Sequence, residues 1–361
     1  MPLAPLNDDT AWTSFPGLSG PAYLDTASIG LLPREVGTAV AACYDALGSG
    51  LPGLARTRSA VACTRILLAE EFGCTPADIT FTSSTGEAIN AVARAVPWQR
   101  GDEVLVLADE FPTTLLPWSR LPDVRLVTAP PGPDDDRLGA LVSAIGPRTR
   151  LVAVSHVNSC TGTVVDLAVL GAACARAGAL LLCDGAQSAG VLPVDLSGVD
   201  FFVATGYKWM LAGFGIAFLI TKESVRESLE PTLLGHANVP PSQGLAVGTP
   251  NLAGIHALGA AAELRRTIGR DAIARRSLAL ADRIREEAGQ LGLRPVAHPG
   301  AHSTVVSLAA TTVPAAQWVT RLGDSGVVVA DRGGHLRISP HFYTRDSDID
   351  ALMHALSRLP V

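Results

Sequence analysis

Lysine is almost absent from this chain of 361 residues. Of its 28 basic residues, only Lys208 and Lys222 are lysines, and all the others are arginines. Arginine stays protonated in proteins, whereas a lysine amine can lose its proton and form an imine with an aldehyde. Lys222 follows a predicted strand and precedes Glu223, a setting typical of a solvated loop. Lys208 directly follows a predicted buried strand and is therefore the candidate for chemistry.

Several other features that would indicate a class of protein are missing. The six cysteines form no C-x-x-C pair and no histidine falls at a metal-ligand spacing, so we expect free thiols and no metal site. The net charge of −6 includes no basic patch, which argues against a nucleic-acid partner. No apolar stretch reaches about 20 residues, and the N-terminus lacks the pattern of a signal peptide. We therefore expect a cytoplasmic protein with no membrane contact.

The composition is that of a well-packed enzyme with more than one domain, since 48% of the residues are hydrophobic and 17% are charged. Nearly continuous apolar segments alternate with helical segments as far as Glu230, which predicts a mostly parallel sheet covered by helices on both faces. Beyond that point the pattern changes to long helices and short strands. We predict an α/β fold with a large domain over residues 20–250. Residues 251–361 form a smaller α+β domain, with residues 1–19 packing nearby.

One stretch, Cys183 to Ile220, concentrates the residues that suggest catalysis. An apolar strand runs into Asp184, Gln187 follows three residues later, and a second apolar strand runs into Thr205-Gly206-Tyr207-Lys208. An acid that ends one buried strand and a lysine just past the next would be costly to bury for packing alone. Together they predict an aldehyde cofactor held by Lys208, with its ring nitrogen facing Asp184.

Other candidate residues also follow the carboxyl ends of predicted strands, where ligands bind in sheets of this kind. The run Ser83 to Glu87 begins a predicted helix and could bind a phosphate through backbone N–H groups, or could be an ordinary helix cap. Phe111 and Asn158 each follow a strand. The small-residue turn Thr26 to Gly30 would let the backbone approach a ligand closely, although an ordinary turn has the same composition.

The segments DGAQSAG (184–190) and TGYK (205–208) carry a resemblance that extends from YLDTASIG (23–30) to LRISPHFYTRDSDID (336–350). The chain resembles the class V aminotransferases, which are fold-type-I enzymes dependent on pyridoxal 5'-phosphate (PLP). This family includes cysteine desulfurases, isopenicillin N epimerase and kynureninase. The resemblance implies a fold-type-I architecture, a PLP cofactor, a small amino-acid-type substrate and a homodimer with active sites at the subunit interface.

The resemblance also implies a role for each candidate. Lys208 would hold PLP and then move a proton at the substrate Cα, while Asp184 would pair with the ring nitrogen and Gln187 with the ring hydroxyl oxygen. The implied phosphate contacts are Thr85, the Gly86 N–H, Thr205, Tyr207 and, from a neighbouring subunit, Thr249.

The resemblance also implies residues that cover the ring and bind the substrate. Phe111 would stack on the ring. Either Asn158 or Ser159 would lie near the ring hydroxyl, and the resemblance does not decide between them. Arg337 would clamp the substrate carboxylate, with Ser28 and Gly30 nearby.

The chain departs from the family pattern at three points. Phe111 stands where the desulfurase branch usually has histidine, Tyr207 stands where histidine is also common, and no cysteine follows Cys183. A persulfide-forming desulfurase is therefore not expected. The first expectation is β-elimination from a cysteine conjugate, a C–S lyase of secondary metabolism. An aminotransferase comes next and an amino-acid epimerase third, and the alternative without turnover is a catalytically silent PLP-binding protein.

Overall fold

A seven-stranded sheet lies at the centre of the computed structural model, which describes residues 12–238, 245–300, 303–309 and 313–358. The strands of the described chain are β1 (Ala22–Tyr23), β2 (Ile79–Thr82), β3 (Glu103–Leu107), β4 (Arg125–Ala129), β5 (Thr149–Ser155), β6 (Leu180–Asp184), β7 (Phe201–Thr205), β8 (Ala217–Thr221), β9 (Val306–Ala309), β10 (Val327–Val328), β11 (Ala330–Arg332) and β12 (His335–Ile338). The large sheet has the order β2-β8-β7-β6-β5-β3-β4.

Eleven α-helices accompany these strands in the described residues. They are α1 (Arg34–Leu47), α2 (Leu51–Phe72), α3 (Thr85–Ala93), α4 (Pro112–Leu115), α5 (Arg137–Ala144), α6 (Leu167–Ala177), α7 (Glu223–Arg226), α8 (Leu252–Ile268), α9 (Arg270–Gln290), α10 (Ala315–Asp324) and α11 (Asp346–Leu356). Short 3₁₀ turns occupy Pro16–Ser19, Pro76–Asp78, Leu116–Arg120 and Pro133–Asp135.

The large sheet is mostly parallel because only β8 runs against its neighbours. Strands β3, β5, β6 and β7 pair in parallel, with Ser155 opposite Asp184 and Asp184 opposite Val203. Strand β2 pairs antiparallel with β8, so its carboxyl end lies at the same edge as theirs. This edge therefore collects the residues that follow five separate strands, as the sequence had predicted.

Apolar side chains cover both faces of this sheet, and its strands other than the partly exposed edge strand β4 are largely buried because they are nearly continuously apolar. One face packs against α1, α2, α6 and α8, where Leu68 and Leu258 meet the sheet residues Phe202 and Phe218. The opposite face packs against α3 and the buried Trp118. Each fully buried side chain of this kind contributes about 1.5–3 kcal/mol through apolar burial, which fixes the sheet edge as a rigid platform.

The C-terminal part forms a smaller α+β layer with its own apolar core. The antiparallel sheet β11-β12-β9 and the parallel pair β1-β10 pack against α9, α10 and α11. The predicted fold class, a mostly parallel sheet with helices plus a smaller α+β domain, is confirmed. The domain boundary at residues 250/251 stays a prediction. Helix α8 follows that boundary in sequence, but its buried face packs in the core of the large sheet. Of the predicted N-terminal segment, residues 1–11 lie outside the described residues.

Two element boundaries have a physical cause. Helix α2 can begin at Leu51 because Pro52 lies in its first turn, where the missing N–H costs nothing. Strands β10 and β11 are separate although they are close in sequence, since β10 pairs with β1 while β11 pairs with β12. Among the described residues, no helix is both long and apolar enough to cross a membrane.

Candidate active site

A cavity of about 190 Å³ opens at the carboxyl edge of the large sheet. It is lined by Ser84, Thr85, Gly86, Phe111, Thr113, Ser155, Val157, Ser159, Asp184, Ala186, Gln187, Thr205, Tyr207 and Lys208. The structure thus brings together every cofactor-contact candidate except Asn158 and Thr249. A larger cleft of about 920 Å³, near the end of α2, contains neither Lys208 nor Asp184 and is more open to solvent. Cavity size alone would therefore point away from the candidate residues.

Asp184 is a buried carboxylate held by neutral donors. The Ala186 N–H donates to Oδ1 over 2.8 Å, and the Thr114 hydroxyl donates to Oδ2 over 3.0 Å. Burial raises the pKa of Asp184, although these two donors and the nearby Lys208 oppose the rise. In the described chain, no basic nitrogen lies within the 4.0 Å of an ion pair with this carboxylate. Its charge is therefore available to a cationic group of a ligand.

Lys208 places its amine between two aromatic rings. Its Nζ lies 5.7 Å from the ring centroid of Phe111 and 5.6 Å from that of Tyr207. Burial lowers the pKa of Lys208 from 10.5 to about 8, against the opposing effect of Asp184. A lysine in this state has a far larger neutral fraction near neutral pH than an ordinary lysine, and the neutral amine is the nucleophilic form. The Gly30 N–H donates to the Tyr207 carbonyl over 2.8 Å and so ties this loop to the N-terminal turn.

Gln187 is fixed so that one of its donors remains available. Its Oε1 accepts a 2.8 Å hydrogen bond from Trp209 Nε1, and its Nε2 donates to the Ala27 carbonyl over 3.1 Å. An amide nitrogen carries two hydrogens, so the second can face the cavity. Trp209, which holds Gln187 in place, was not predicted as a site residue from the sequence. Its position directly after Lys208 is the feature that could have indicated this role.

The start of α3 offers the predicted anion site. Ser84 caps the helix by accepting a hydrogen bond from the Glu87 N–H over 3.1 Å. In the described part of the chain, the N–H groups of Thr85 and Gly86 meet no protein acceptor. Open N–H groups at the positive end of a helix dipole favour an anion. The structure confirms Ser84 as an ordinary helix cap, while anion binding by the N–H groups of Thr85 and Gly86 stays a prediction.

Arg337 and Ser28 form a second cluster together with Asp25 beside the cavity, whereas Gly30 lies against the Lys208 loop. Nη2 of Arg337 donates to Ser28 Oγ over 2.6 Å and to Asp25 Oδ1 over 3.0 Å, and Nη1 donates to the Ser159 carbonyl over 3.1 Å. Since Ser159 lines the cavity, this contact joins the two sites. Asp25 was not predicted, and no local sequence pattern distinguishes it.

Two predicted contacts lie outside the cavity. The Oδ1 atom of Asn158 is occupied by the N–H groups of Cys160 and Thr161, at 2.8 and 2.9 Å, so this residue shapes a turn. The cavity lining includes Ser159 instead, which favours Ser159 in the choice that the sequence left open. Thr249 is exposed and away from the cavity of its own chain. No cluster of metal-ligating side chains occurs among the residues that the structure describes.

Comparison with known proteins agrees with this geometry. The family model "Aminotransferase class-V" matches residues 22–352. Isopenicillin N epimerase of Amycolatopsis lactamdurans is 30% identical over 93% of this chain and 94% of its own length. A relative from Methanothermobacter thermautotrophicus that is named as a cysteine desulfurase is 37% identical, over 53% of this chain and 52% of that protein. The cysteine desulfurase CsdA of Escherichia coli superposes with a TM-score of 0.87 at 26% identity, over 98% of both chains. The chain therefore belongs to the class V aminotransferase family, the family of PLP-dependent enzymes that its sequence resembles.

Proposed function

We propose that this protein is a PLP-dependent enzyme that acts at Cα and Cβ of an amino-acid substrate. The observation that carries the proposal is the placement of Lys208 and Asp184 in one cavity, a lysine with a pKa of about 8 facing a buried carboxylate that lacks a cationic partner among the described residues. Titratable groups perturbed in this way, in a cleft at strand ends, are typical of catalytic sites.

The residues of the cavity fit PLP at each of its polar groups. Lys208 is the amine that would bind the aldehyde, and Asp184 is the carboxylate that would pair with the ring nitrogen. The free hydrogen of Gln187 Nε2 suits the ring hydroxyl oxygen. The open N–H groups of Thr85 and Gly86 suit the phosphate, with the side chains of Thr205 and Tyr207 at the same cavity. The hydrogen-bond donors without a protein acceptor and the carboxylate without a cationic partner, among the described residues, thus match the polar groups of PLP.

Each catalytic step can be assigned to residues of this chain. Bound PLP supplies a conjugated ring that stabilises negative charge at the substrate Cα. Asp184 would keep a proton on the ring nitrogen, because a buried negative charge without another cation favours a protonated partner. Lys208 would take the proton from Cα, and the ammonium so formed would protonate the thiolate that leaves Cβ when the C–S bond breaks. Phe111 can cover the ring but cannot carry a proton, so proton transfer falls mainly on Lys208.

We propose β-elimination from a cysteine conjugate as the reaction, which makes the protein a C–S lyase, and we place it in secondary metabolism. Relatives named as cysteine desulfurases support a sulfur-containing substrate. The sequence has no cysteine after Cys183, which argues against a persulfide-forming reaction of the desulfurase type. The second candidate is an amino-acid epimerase, favoured by the similarity to isopenicillin N epimerase over nearly the full chain. An aminotransferase, which the sequence analysis placed second, becomes the third candidate.

The cofactor is tested by the visible spectrum of the purified protein. We expect an absorption band from bound PLP that is lost in Lys208→Ala, because the chromophore requires this amine. The matched control is Lys222→Ala, which removes the only other lysine and should leave the band unchanged. A colourless wild-type protein that takes up no added PLP would reject the proposal.

The reaction is tested with S-substituted L-cysteines. A lyase should release pyruvate and thiol without any keto-acid acceptor. An S-substituted 3-mercaptopyruvate that forms only after a keto acid is added, together with the amino acid derived from that acceptor and without free thiol, would indicate an aminotransferase. Exchange of the Cα hydrogen with solvent deuterium and loss of optical rotation, without pyruvate, would indicate an epimerase. PLP binding with none of these activities would leave the silent PLP-binding protein as the conclusion.

We also propose that two copies assemble into a homodimer at the cavity mouth. Phe214 is 67% exposed and stacks at 4.6 Å on Tyr207, which lines the cavity, so an apolar surface begins at its edge. Thr249 is exposed and could reach the cavity of a second copy. Analytical ultracentrifugation should give a dimer that Phe214→Asp weakens, while Val169→Asp on α6, another exposed apolar site, should not. A monomeric wild type would contradict the proposal.

A further inference from the structure

Arg337 is a buried guanidinium with most of its donors already in use. Its side chain is 2% exposed, whereas that of its ion-pair partner Asp25 is 14% exposed. Nη1 donates to the Ser159 carbonyl, and Nη2 donates to both Asp25 Oδ1 and Ser28 Oγ. Burial lowers the pKa of Arg337, and the negative charge of Asp25 is the largest opposing effect. Asp25 therefore neutralises much of the charge that a substrate carboxylate would need.

The remaining donors define where a carboxylate could bind. A guanidinium has five N–H donors, and the Nε–H of Arg337 is buried without an acceptor among the described residues. A carboxylate binds a guanidinium most strongly through two parallel N–H groups. The guanidinium group has two edges with parallel N–H groups. One edge is formed by Nη1 and Nη2 and the other by Nε and Nη2, so both include Nη2. Since both hydrogens of Nη2 are occupied, one of its two partners must leave before a carboxylate can bind in this way.

Asp25 is the partner that has to leave. An incoming carboxylate repels its charge, whereas the Ser28 hydroxyl is neutral and can remain. The main chain of Asp25 is fixed by a parallel bridge to Ser339, and its carbonyl accepts hydrogen bonds from the N–H groups of Ser28 and Ile29. A rotation of the side chain alone, toward the solvent that already reaches it, is enough to free Nη2.

We propose that Asp25 is an internal competitor of the substrate carboxylate, which occupies Nη2 of Arg337 in the free enzyme and is displaced when substrate binds at the Nε–Nη2 edge. This inference rests on the proposed function, since it assumes an amino-acid substrate beside the cofactor. It assigns Asp25 as a positioning residue that sets the carboxylate affinity through Arg337. Asp25 neutralises the buried charge of Arg337 while no substrate is bound. Substrate binding then requires the substrate carboxylate to replace that of Asp25.

The test compares glycine with methylamine, which has the amine but no carboxylate, by calorimetric titration of the PLP-loaded protein. Asp25→Asn keeps an oxygen acceptor for Nη2 but removes the competing charge. We expect glycine to bind more tightly, on the order of tenfold, and methylamine to bind as in the wild type. Asp331→Asn is the matched control, because its carboxylate accepts from the Gly334 N–H and does not contact Arg337. It should leave both affinities unchanged.

The outcomes separate this inference from the proposed function. Weaker or unchanged glycine binding in Asp25→Asn would show that Asp25 stays in place, and would overturn the inference while PLP binding stands. A wild-type protein that takes up no PLP would overturn both. If Asp25→Asn fails to fold, Asp25→Ser removes the same charge with a smaller side chain and must show the same selective gain for glycine. A gain that is equal for methylamine would also overturn the inference, because it would not involve the carboxylate.

Discussion

The hydroxyl of Thr114 donates a 3.0 Å hydrogen bond to Oδ2 of Asp184, at the bottom of the candidate active site. Both residues are buried, and the other carboxylate oxygen accepts from the Ala186 N–H. Neutral donors stabilise the ionised form without cancelling its charge, whereas an arginine in the same place would form a closed ion pair. This pairing therefore orients Asp184 and leaves its charge available to a cationic group of a ligand, which in the proposed function is the ring nitrogen of PLP.

Replacing Thr114 by valine should weaken PLP binding. The change keeps the shape of the side chain but removes a donor that lowers the pKa of Asp184, so this pKa should rise further. A hydrogen bond to a charged group contributes about 1.5–3 kcal/mol, which predicts a dissociation constant for PLP roughly 10- to 100-fold higher. The measurement is an absorption titration of the apoprotein with PLP. Thr38→Val on α1, an exposed threonine, is the control, and equal affinities of the two variants would refute the role of Thr114.

Lys208 should react with amine reagents at a lower pH than an ordinary lysine. Burial lowers its pKa from 10.5 to about 8, so the neutral amine becomes the major form above pH 8. Reductive methylation of the apoprotein, followed by mass spectrometry, should give a rate for Lys208 with a midpoint near pH 8. The exposed Lys222 serves as an internal control for reagent reactivity.

The same experiment on Asp184→Asn gives a test of sign. The charge of Asp184 raises the pKa of Lys208, so its removal should shift the midpoint to lower pH. A midpoint that moves upward, or one that does not move, would show that the two side chains do not interact electrostatically as the structure indicates.

The sequence predicted the site well where neighbours in space are also fixed by the strand order. Asp184 and Lys208 each follow an apolar strand, and adjacent parallel strands necessarily bring their carboxyl ends to one edge. The fold class follows from the same pattern, because strands buried on both faces must be nearly continuously apolar.

The residues that support the site were not predictable in this way. Thr114 is 70 positions from Asp184, and Asp25 is 312 positions from Arg337, so their contacts depend on how separate elements pack. The choice between Asn158 and Ser159 depended on the direction of a single turn. Only the structure shows that Asn158 Oδ1 is used by backbone N–H groups, which leaves Ser159 facing the cavity.

Removing the charge of Glu71 should destabilise the fold near the lysine loop. Arg265 on α8 binds both oxygens of Glu71 on α2, at 3.1 and 2.7 Å, and also donates to the Met210 carbonyl over 2.7 Å. Both side chains are nearly inaccessible to solvent. Loss of one partner from a buried pair costs about 3–5 kcal/mol, so Glu71→Gln should lower the unfolding midpoint clearly in a thermal melt.

The exposed pair of Glu263 and Arg266 on the same helix offers a matched comparison. Glu263→Gln should leave the melting temperature almost unchanged, because solvent already screens this pair. Equal melting temperatures for Glu71→Gln and Glu263→Gln would mean that the buried pair does not hold α8 against the core.

Replacing Gly30 by alanine should reduce PLP binding through the backbone of Lys208. A Cβ atom on Gly30 would lie 2.3 Å from the Lys208 carbonyl oxygen and 2.5 Å from Leu211 Cδ2, so the lysine loop would have to shift. Overpacking of this kind costs about 1–3 kcal/mol, and the cost should appear as weaker PLP binding because the loop carries the amine. Gly37→Ala in α1 is the control, since nothing lies within 4 Å of its Cβ position and the change should stabilise the helix by about 0.5–1 kcal/mol. If Gly30→Ala lowers the melting temperature but binds PLP as the wild type does, the close approach serves packing alone, because a displaced Lys208 could not keep the same affinity.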